Sequence, residues 1–270
     1  MLSIKNLSKT FHPGTVNEVK VLQDICCLVE EGSFVVLVGS NGSGKSSLLN
    51  AIAGVFYCDS GQILLDGRNI ARLPEHRRAA WIGRVFQNPF TGTAPGMSIA
   101  ENLSLASKRG GRRGLGPALS AAALADFREK LRPLNMGLED RLHSPIGKLS
   151  GGQRQALTLL MASLRKPRLL LLDEHTAALD PTTAARVVHL TGEIVRNGGI
   201  TAMMVTHSMQ QAARMGDRLL MLHRGKIIHD FSGQEKQQLK AADMAGLFEE
   251  VRKKELIDPA AARLLQSRYV

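Results

Sequence analysis

The chain has 270 residues, 44% of them hydrophobic and 22% charged, with 35 Lys and Arg against 24 acids, room enough for one large α/β domain. No apolar stretch approaches the roughly 20 residues of a membrane-crossing helix, and Met1–Lys5 lacks the basic-then-apolar layout of a secretory signal. Three cysteines, Cys26, Cys27 and Cys58, without metal-ligand spacing exclude a disulfide framework and point to a reducing, cytosolic compartment. The net charge of +11 suits bound phosphates, an anionic membrane face or nucleic acid. With 4% aromatic residues, too few rings are present to stack single strands, so no nucleic-acid partner is expected.

Residues 2–11 alternate apolar and polar as a strand does, His12-Pro13-Gly14 breaks the pattern, and Glu18–Val29 resumes it. Two strands joined by a turn predict an antiparallel layer laid against the core of the fold. Phe11 ends the first of them, either as a core ring or as a ring that stacks on a base. Phe34–Val38 is an apolar, β-branched run of the kind a buried parallel strand needs. Gly39-Ser40-Asn41-Gly42-Ser43-Gly44-Lys45-Ser46 comes next, with a helix expected from Ser47 to Ala53. This matches GxxxxGK[ST] without a mismatch. Its glycines let backbone N–H groups converge on an anion at a helix N-terminus. Lys45 is then placed for β- and γ-phosphates, and the Ser46 hydroxyl for Mg²⁺.

Short strands are expected at Gly61–Gly67 and at 84–86, the latter leading to Gln87 and the helix-excluding Pro89. From about Ser98 to Arg165 the composition turns helical, as in Ala118–Leu131, which predicts an insertion between strands. Within it, Lys108–Gly114 is a basic stretch read as an exposed loop. Leu149-Ser150-Gly151-Gly152-Gln153 opens a helix over Arg154–Ser163, with Ser150 a good cap. Leu169–Leu172 is a fully buried strand ending in Asp173-Glu174. Carboxylates at the C-terminal end of such a strand are placed to hold metal and to orient or deprotonate water. Pro181 suits the first turn of a helix that runs over Thr182–Arg196 to an Asn197-Gly198-Gly199 stop. Ile200–Thr206 is the next strand, delivering His207 to the same edge of the sheet, and a helix is expected over 208–215. Leu219–His223 and Lys226–Asp230 form a hairpin, and two short amphipathic helices divided near Asp258-Pro259 complete the chain.

In this order and spacing the set resembles the ATP-binding subunit of an ATP-binding cassette (ABC) transporter, over roughly residues 2–232. GSNGSGKS at 39–46 corresponds to Walker A and LLLLDE at 169–174 to Walker B. LSGGQ at 149–153 matches the family signature letter for letter, Gln87 falls at the Q-loop, Ala178-Leu179-Asp180 at the D-loop and His207 at the switch histidine. The implied fold is an α/β phosphate-loop NTPase cassette: a mainly parallel core sheet, an antiparallel β layer and an inserted helical subdomain. The implied domains are an ATPase domain over 1–232, with the helical subdomain at about 88–165, and a short helical tail over 233–270.

The resemblance also implies a mechanism. Two copies would dimerise head to tail over ATP and Mg²⁺, Walker A of one facing the signature of the other. The nucleotide would be held by Phe11 in the aromatic A-loop position, by Gly39, Ser40, Asn41, Gly42, Ser43, Gly44, Lys45, Ser46 and Ser47, and across the interface by Ser150, Gly151, Gly152, Gln153 and Asp180. Ser46, Gln87 and Asp173 would serve the metal. Glu174 would be the base, His207 would hold the γ-phosphate, and Gln87 would link the site to a membrane permease, with changes at Phe90–Met97 uncoupling transport. The expected location is the cytoplasmic face of the inner membrane. Phe86–Pro89 with Gly92–Pro95, and the string Asp173–Ala177, resemble bacterial importers that work with a lipoprotein substrate-binding protein and handle amino acids. An exporter subunit shares the same motor and remains the alternative. A soluble repair or translation ATPase is the other, but these carry a long coiled coil or two cassettes.

Overall fold

The structure is a computed structural model that describes residues 1–111 and 118–256. The first layer is antiparallel: β1 (Leu2–Phe11) pairs with β2 (Val19–Val29) and β4 (Ser60–Leu65), and β5 (Arg68–Asn69) closes the order β2-β1-β4-β5. The second sheet holds β3 (Phe34–Gly39), β6 (Ile82–Val85), β7 (Leu169–Asp173), β8 (Ala202–Val205), β9 (Arg218–His223) and β10 (Lys226–Ser232) in the order β10-β9-β3-β8-β7-β6. Its pairs are parallel except for the β9–β10 hairpin.

Strand alternation gives this sheet two buried faces. Val36, Val38, Leu170, Leu172 and Met204 enter one core with Leu103, Phe127 and Leu157 of the inserted helices. Val35, Leu37, Leu169, Leu171 and Met203 enter a second core with Leu2, Ile4 and Leu7 of the antiparallel layer and Leu48 and Ile52. The expected antiparallel layer therefore lies against the nucleotide strand through a shared apolar core.

The helices are α1 (Lys45–Ala53), α2 (Glu75–Arg78), α3 (Ile99–Ser107), α4 (Ala121–Leu131), α5 (Gly151–Ser163), α6 (Pro181–Gly198), α7 (Met209–Arg214), α8 (Gly233–Gln238) and α9 (Ala241–Leu256). Caps set their starts. Ser120 accepts from Ala123 N and starts α4 three residues later than composition predicts. Ser150 and Gln153 form a capping box that starts α5 at Gly151, ahead of the expected Arg154.

The tail divides at Leu239-Lys240, between α8 and α9, and the expected break near Asp258-Pro259 lies outside the described residues. The tail is docked rather than loose: Met244 is fully buried in the first core, and Lys236 Nζ donates to Ala213 O at 2.8 Å. Of the basic stretch 108–114, residues 112–114 lie outside the described ones. Arg109, read as part of an exposed loop, is only partly exposed, because its guanidinium donates to Ala162 O at 2.8 Å.

Candidate functional site: a phosphate cradle at the strand ends

The C-terminal ends of β3, β7 and β8 lie side by side, since β8 pairs with both neighbours. β3 delivers the loop 40–44 and then α1. Gly44 stands at the N-cap with φ +99°, and a Cβ there would collide with Val21 O, so the turn into α1 is open only to glycine. Among the described residues no side chain caps α1, which leaves its first N–H groups open to an anion. Lys45 is 5% exposed and its Nζ donates to Gly39 O and Ser40 O, both at 2.9 Å, so the ammonium is folded onto the loop. Burial lowers its pKa, against the opposing pull of Glu174 and Asp173. The Ser43 hydroxyl is buried in the loop and has no hydrogen-bond partner among the described residues.

β7 ends in Asp173, whose Oδ1 accepts from Ser46 Oγ at 2.9 Å. This hydroxyl–carboxylate pair is an all-oxygen donor set suited to a hard cation. The pair fits Mg²⁺, which takes one or two protein oxygens and completes its shell with water and substrate phosphate. Glu174 comes next at φ +44°, and its Oε1 lies 2.6 Å from His207 Nε2, supplied from the end of β8. Gln87 sits in the turn after β6.

Phe11 is half-buried, edge-on to Phe56 at 5.2 Å between ring centroids, with Lys9 Nζ 5.5 Å from its centroid. Ser150 and Gly151 are exposed at the start of α5, whereas Gly152 is buried against Thr183 of α6. Gln153 Nε2 donates to Met136 O at 3.2 Å. Asp180 caps α6 by accepting from Thr183 N at 3.0 Å, and the Thr183 hydrogen bonds hold its carboxyl below the usual range. Within one chain the structure thus unites Lys45, Ser46, Asp173, Glu174 and His207. The signature residues instead meet Met136 and Thr183, neither of them in the phosphate loop.

Several polar residues around the site escape sequence reasoning. Gln155 Nε2 donates to Phe86 O at 3.3 Å, and the Arg154 guanidinium lies 3.8 Å from the Phe90 ring centroid while donating to Ile146 O and Gly147 O. Both tie the signature helix to the loop carrying Gln87. The legible signal was two long polar residues heading an otherwise apolar helical run. Arg84 bonds the Asn50 side chain, lies 4.5 Å over the Phe86 ring and sits 3.6 Å from Glu75.

A strand, a glycine loop and a helix beside strand-end carboxylates on a parallel sheet define a phosphate-loop nucleoside triphosphatase. Residues 22–177 match the family described as ABC transporter. Over 250 residues, 92% of this chain and 99% of the relative, the sequence is 44% identical to the tyrosine transport ATP-binding protein of Clostridioides difficile (strain R20291). The fold superposes with TM-score 0.72 on the ATP-binding cassette MJ0796, solved as a dimer in a post-hydrolysis state with ADP and Pi. That match is 28% identical and covers 86% of this chain and 98% of the other. A second cassette, MJ1267 in its ADP conformation, matches at 25% identity and TM-score 0.72, over 87% and 92% of the two chains. The chain belongs to the ABC transporter family, as an ATP-hydrolysing cassette.

Proposed function

We propose that this cassette powers a membrane permease that imports a small solute of the amino-acid class. It would work as a head-to-tail pair of copies closed over two MgATP, on the cytoplasmic face of the membrane and with an extracytoplasmic substrate-binding protein as receptor. The amino-acid class is supported by the relative named for tyrosine transport. The pairing is supported by the dimeric MJ0796 and by the exposed start of α5, whose partners lie elsewhere than the phosphate loop. No helix among the described residues is long and apolar enough to cross a membrane, so the solute's path would lie in a partner.

The observation that carries the chemistry is the Glu174–His207 contact at 2.6 Å, one residue beyond the carboxylate that holds Ser46. Lys45 would exchange its loop carbonyls for the β- and γ-phosphates, and the free N–H groups of α1 would take the β-phosphate. Ser46 and Gln87 would hold Mg²⁺, with Asp173 behind Ser46. When bound, the ion supplies neutralisation of the phosphate charge. The Glu174 carboxylate would take the proton of the water that attacks the γ-phosphorus, while the bond to ADP breaks and His207 steadies the departing phosphoryl group. Ser150, Gly151, Gly152 and Gln153 of the second copy would contact the γ-phosphate, Asp180 would lie at the same interface, and Phe11 would lie against the base. The ties from Arg154 and Gln155 to Phe90 and Phe86 would carry closure of the pair to the permease through the loop at 88–97.

Glu174→Gln tests this reading. Hydrolysis is expected to fall at least about 100-fold while ATP binding persists and ATP-dependent dimers accumulate on size-exclusion chromatography. Full hydrolysis by this variant would refute the assignment. Recovery of the tagged cassette from native membranes with a multi-span permease supports transport, and recovery with ribosomal or DNA-repair proteins alone overturns it.

A further inference from the structure

We infer that His175 is a positioning residue for Glu174: hydrogen-bonded to Thr191 inside α6, it pins the backbone just beyond the base. Glu174 takes φ +44°, a conformation that a residue with a long side chain keeps only where its surroundings impose it. On one side its N–H donates to Val205 O at 3.1 Å, which anchors it to β8. On the other side stands His175, 2% exposed, with Nε2 2.9 Å from Thr191 Oγ1. The Thr191 hydroxyl donates to Val187 O at 2.8 Å, so it meets the imidazole as an acceptor and Nε2 carries the proton. A polar ring in an apolar interior is costly unless it is bonded, and an aliphatic side chain would fill the same space, so the ring contributes direction as well as volume.

A second tie runs from the next residue. Thr176 Oγ1 accepts from Gln211 Nε2 at 3.4 Å, and Gln211 Oε1 accepts from Thr206 Oγ1 at 2.9 Å, immediately before His207. The turn bearing the base is therefore fastened to α6 by His175 and to the strand end that supplies its partner histidine by Gln211. The ring of His175 is buried and bonds Thr191 of α6. It acts through the 174–175 peptide, by keeping the Glu174 carboxylate on His207.

This role rests on the reading of Glu174 as the base. The test compares His175→Leu, Thr191→Val and His175→Gln by steady-state ATP hydrolysis, nucleotide binding and thermal unfolding. Because a shift of about 1 Å at a reacting group costs up to roughly 100-fold in rate, His175→Leu and Thr191→Val are expected to lower kcat about 10- to 100-fold at unchanged KM for ATP. The double variant is expected to be no worse than His175→Leu alone. His175→Gln, whose amide nitrogen can reach the same acceptor, is expected to recover kcat to within about threefold of the parent. If His175→Leu fails to fold, the near-isosteric Thr191→Val still reads the bond. Lower melting temperatures with kcat unchanged would make the bond structural and overturn the proposal. The two readings fail separately. Full hydrolysis by Glu174→Gln removes the base, whereas an inert Glu174→Gln beside a fully active His175→Leu removes only the positioning role.

Discussion

The approach of α5 to α6 at Gly152 allows a perturbation whose sign can be reversed by a second change. A Cβ built on Gly152 overlaps Thr183 Cγ2 far inside the 3.4 Å floor of ordinary contact, yet lies 3.5 Å from Thr183 Cβ and 3.7 Å from its Oγ1. One methyl group is therefore the whole obstruction. Rotating it away disturbs the Thr183 side-chain hydrogen bond to Asp180, so α5 and α6 must part instead. Overpacking of this kind costs about 1–3 kcal/mol, against up to about 1 kcal/mol gained from replacing glycine by alanine in a helix. Gly152→Ala should be less stable than the parent, by up to about 2 kcal/mol once the full helix gain is subtracted. Thr183→Ser deletes the obstructing methyl, so in that background the same Gly152→Ala change should be neutral or stabilising. Urea unfolding of the parent, both single variants and the double variant gives the coupling directly. A coupling energy below about 0.5 kcal/mol would refute the account of why a glycine stands in the signature at this point.

Two other predictions concern stability. Arg78 is fully buried and its guanidinium donates to Ala51 O, Ile52 O, Ala71 O and Leu73 O at 2.7–2.9 Å, closing the C-terminal end of the phosphate-loop helix. Arg78→Met should lose at least about 2 kcal/mol in denaturant unfolding, because those carbonyls are left unmet, and stability equal to the parent would show that water replaces the guanidinium. His175 is held neutral by burial, its pKa pushed down to about 4 from 6.5. Since the unfolded chain takes up this proton first, the contribution is intact above pH 6.5 and is lost progressively as pH falls towards 4, about 3 kcal/mol in all. His175→Gln should flatten that part of the stability–pH curve, and an unchanged slope would refute the assignment.

Local order was legible along much of the chain. The run Phe34–Val38 with GSNGSGKS announces strand, loop and helix because a glycine turn and an open helix end are short-range devices. Pro181 and Gly199 bracket α6 for the same reason, a helix-starting proline at one end and a left-handed glycine at the other. Strand limits were less legible. β6 begins at Ile82 rather than 84, and β8 covers Ala202–Val205 rather than 200–206, because a strand's ends are set by the length of its neighbours in the sheet.

What the tertiary structure alone decided is which distant residues meet. Ser46 and Asp173 are 127 positions apart and touch because β8 inserts between β3 and β7 and levels their C-terminal ends, an order that no local pattern encodes. Arg78 reads as one more surface charge of a basic chain, and only the end of α1, brought over it by the second core, makes it a buried clasp. His175 reads as a residue beside a carboxylate, and its partner Thr191 becomes visible only when α6 packs under the turn. The sequence by itself determined the chemical groups and the local shapes that present them. Packing between elements remote in the chain determined their distances, because apolar burial is non-directional and only the assembled layers convert it into position.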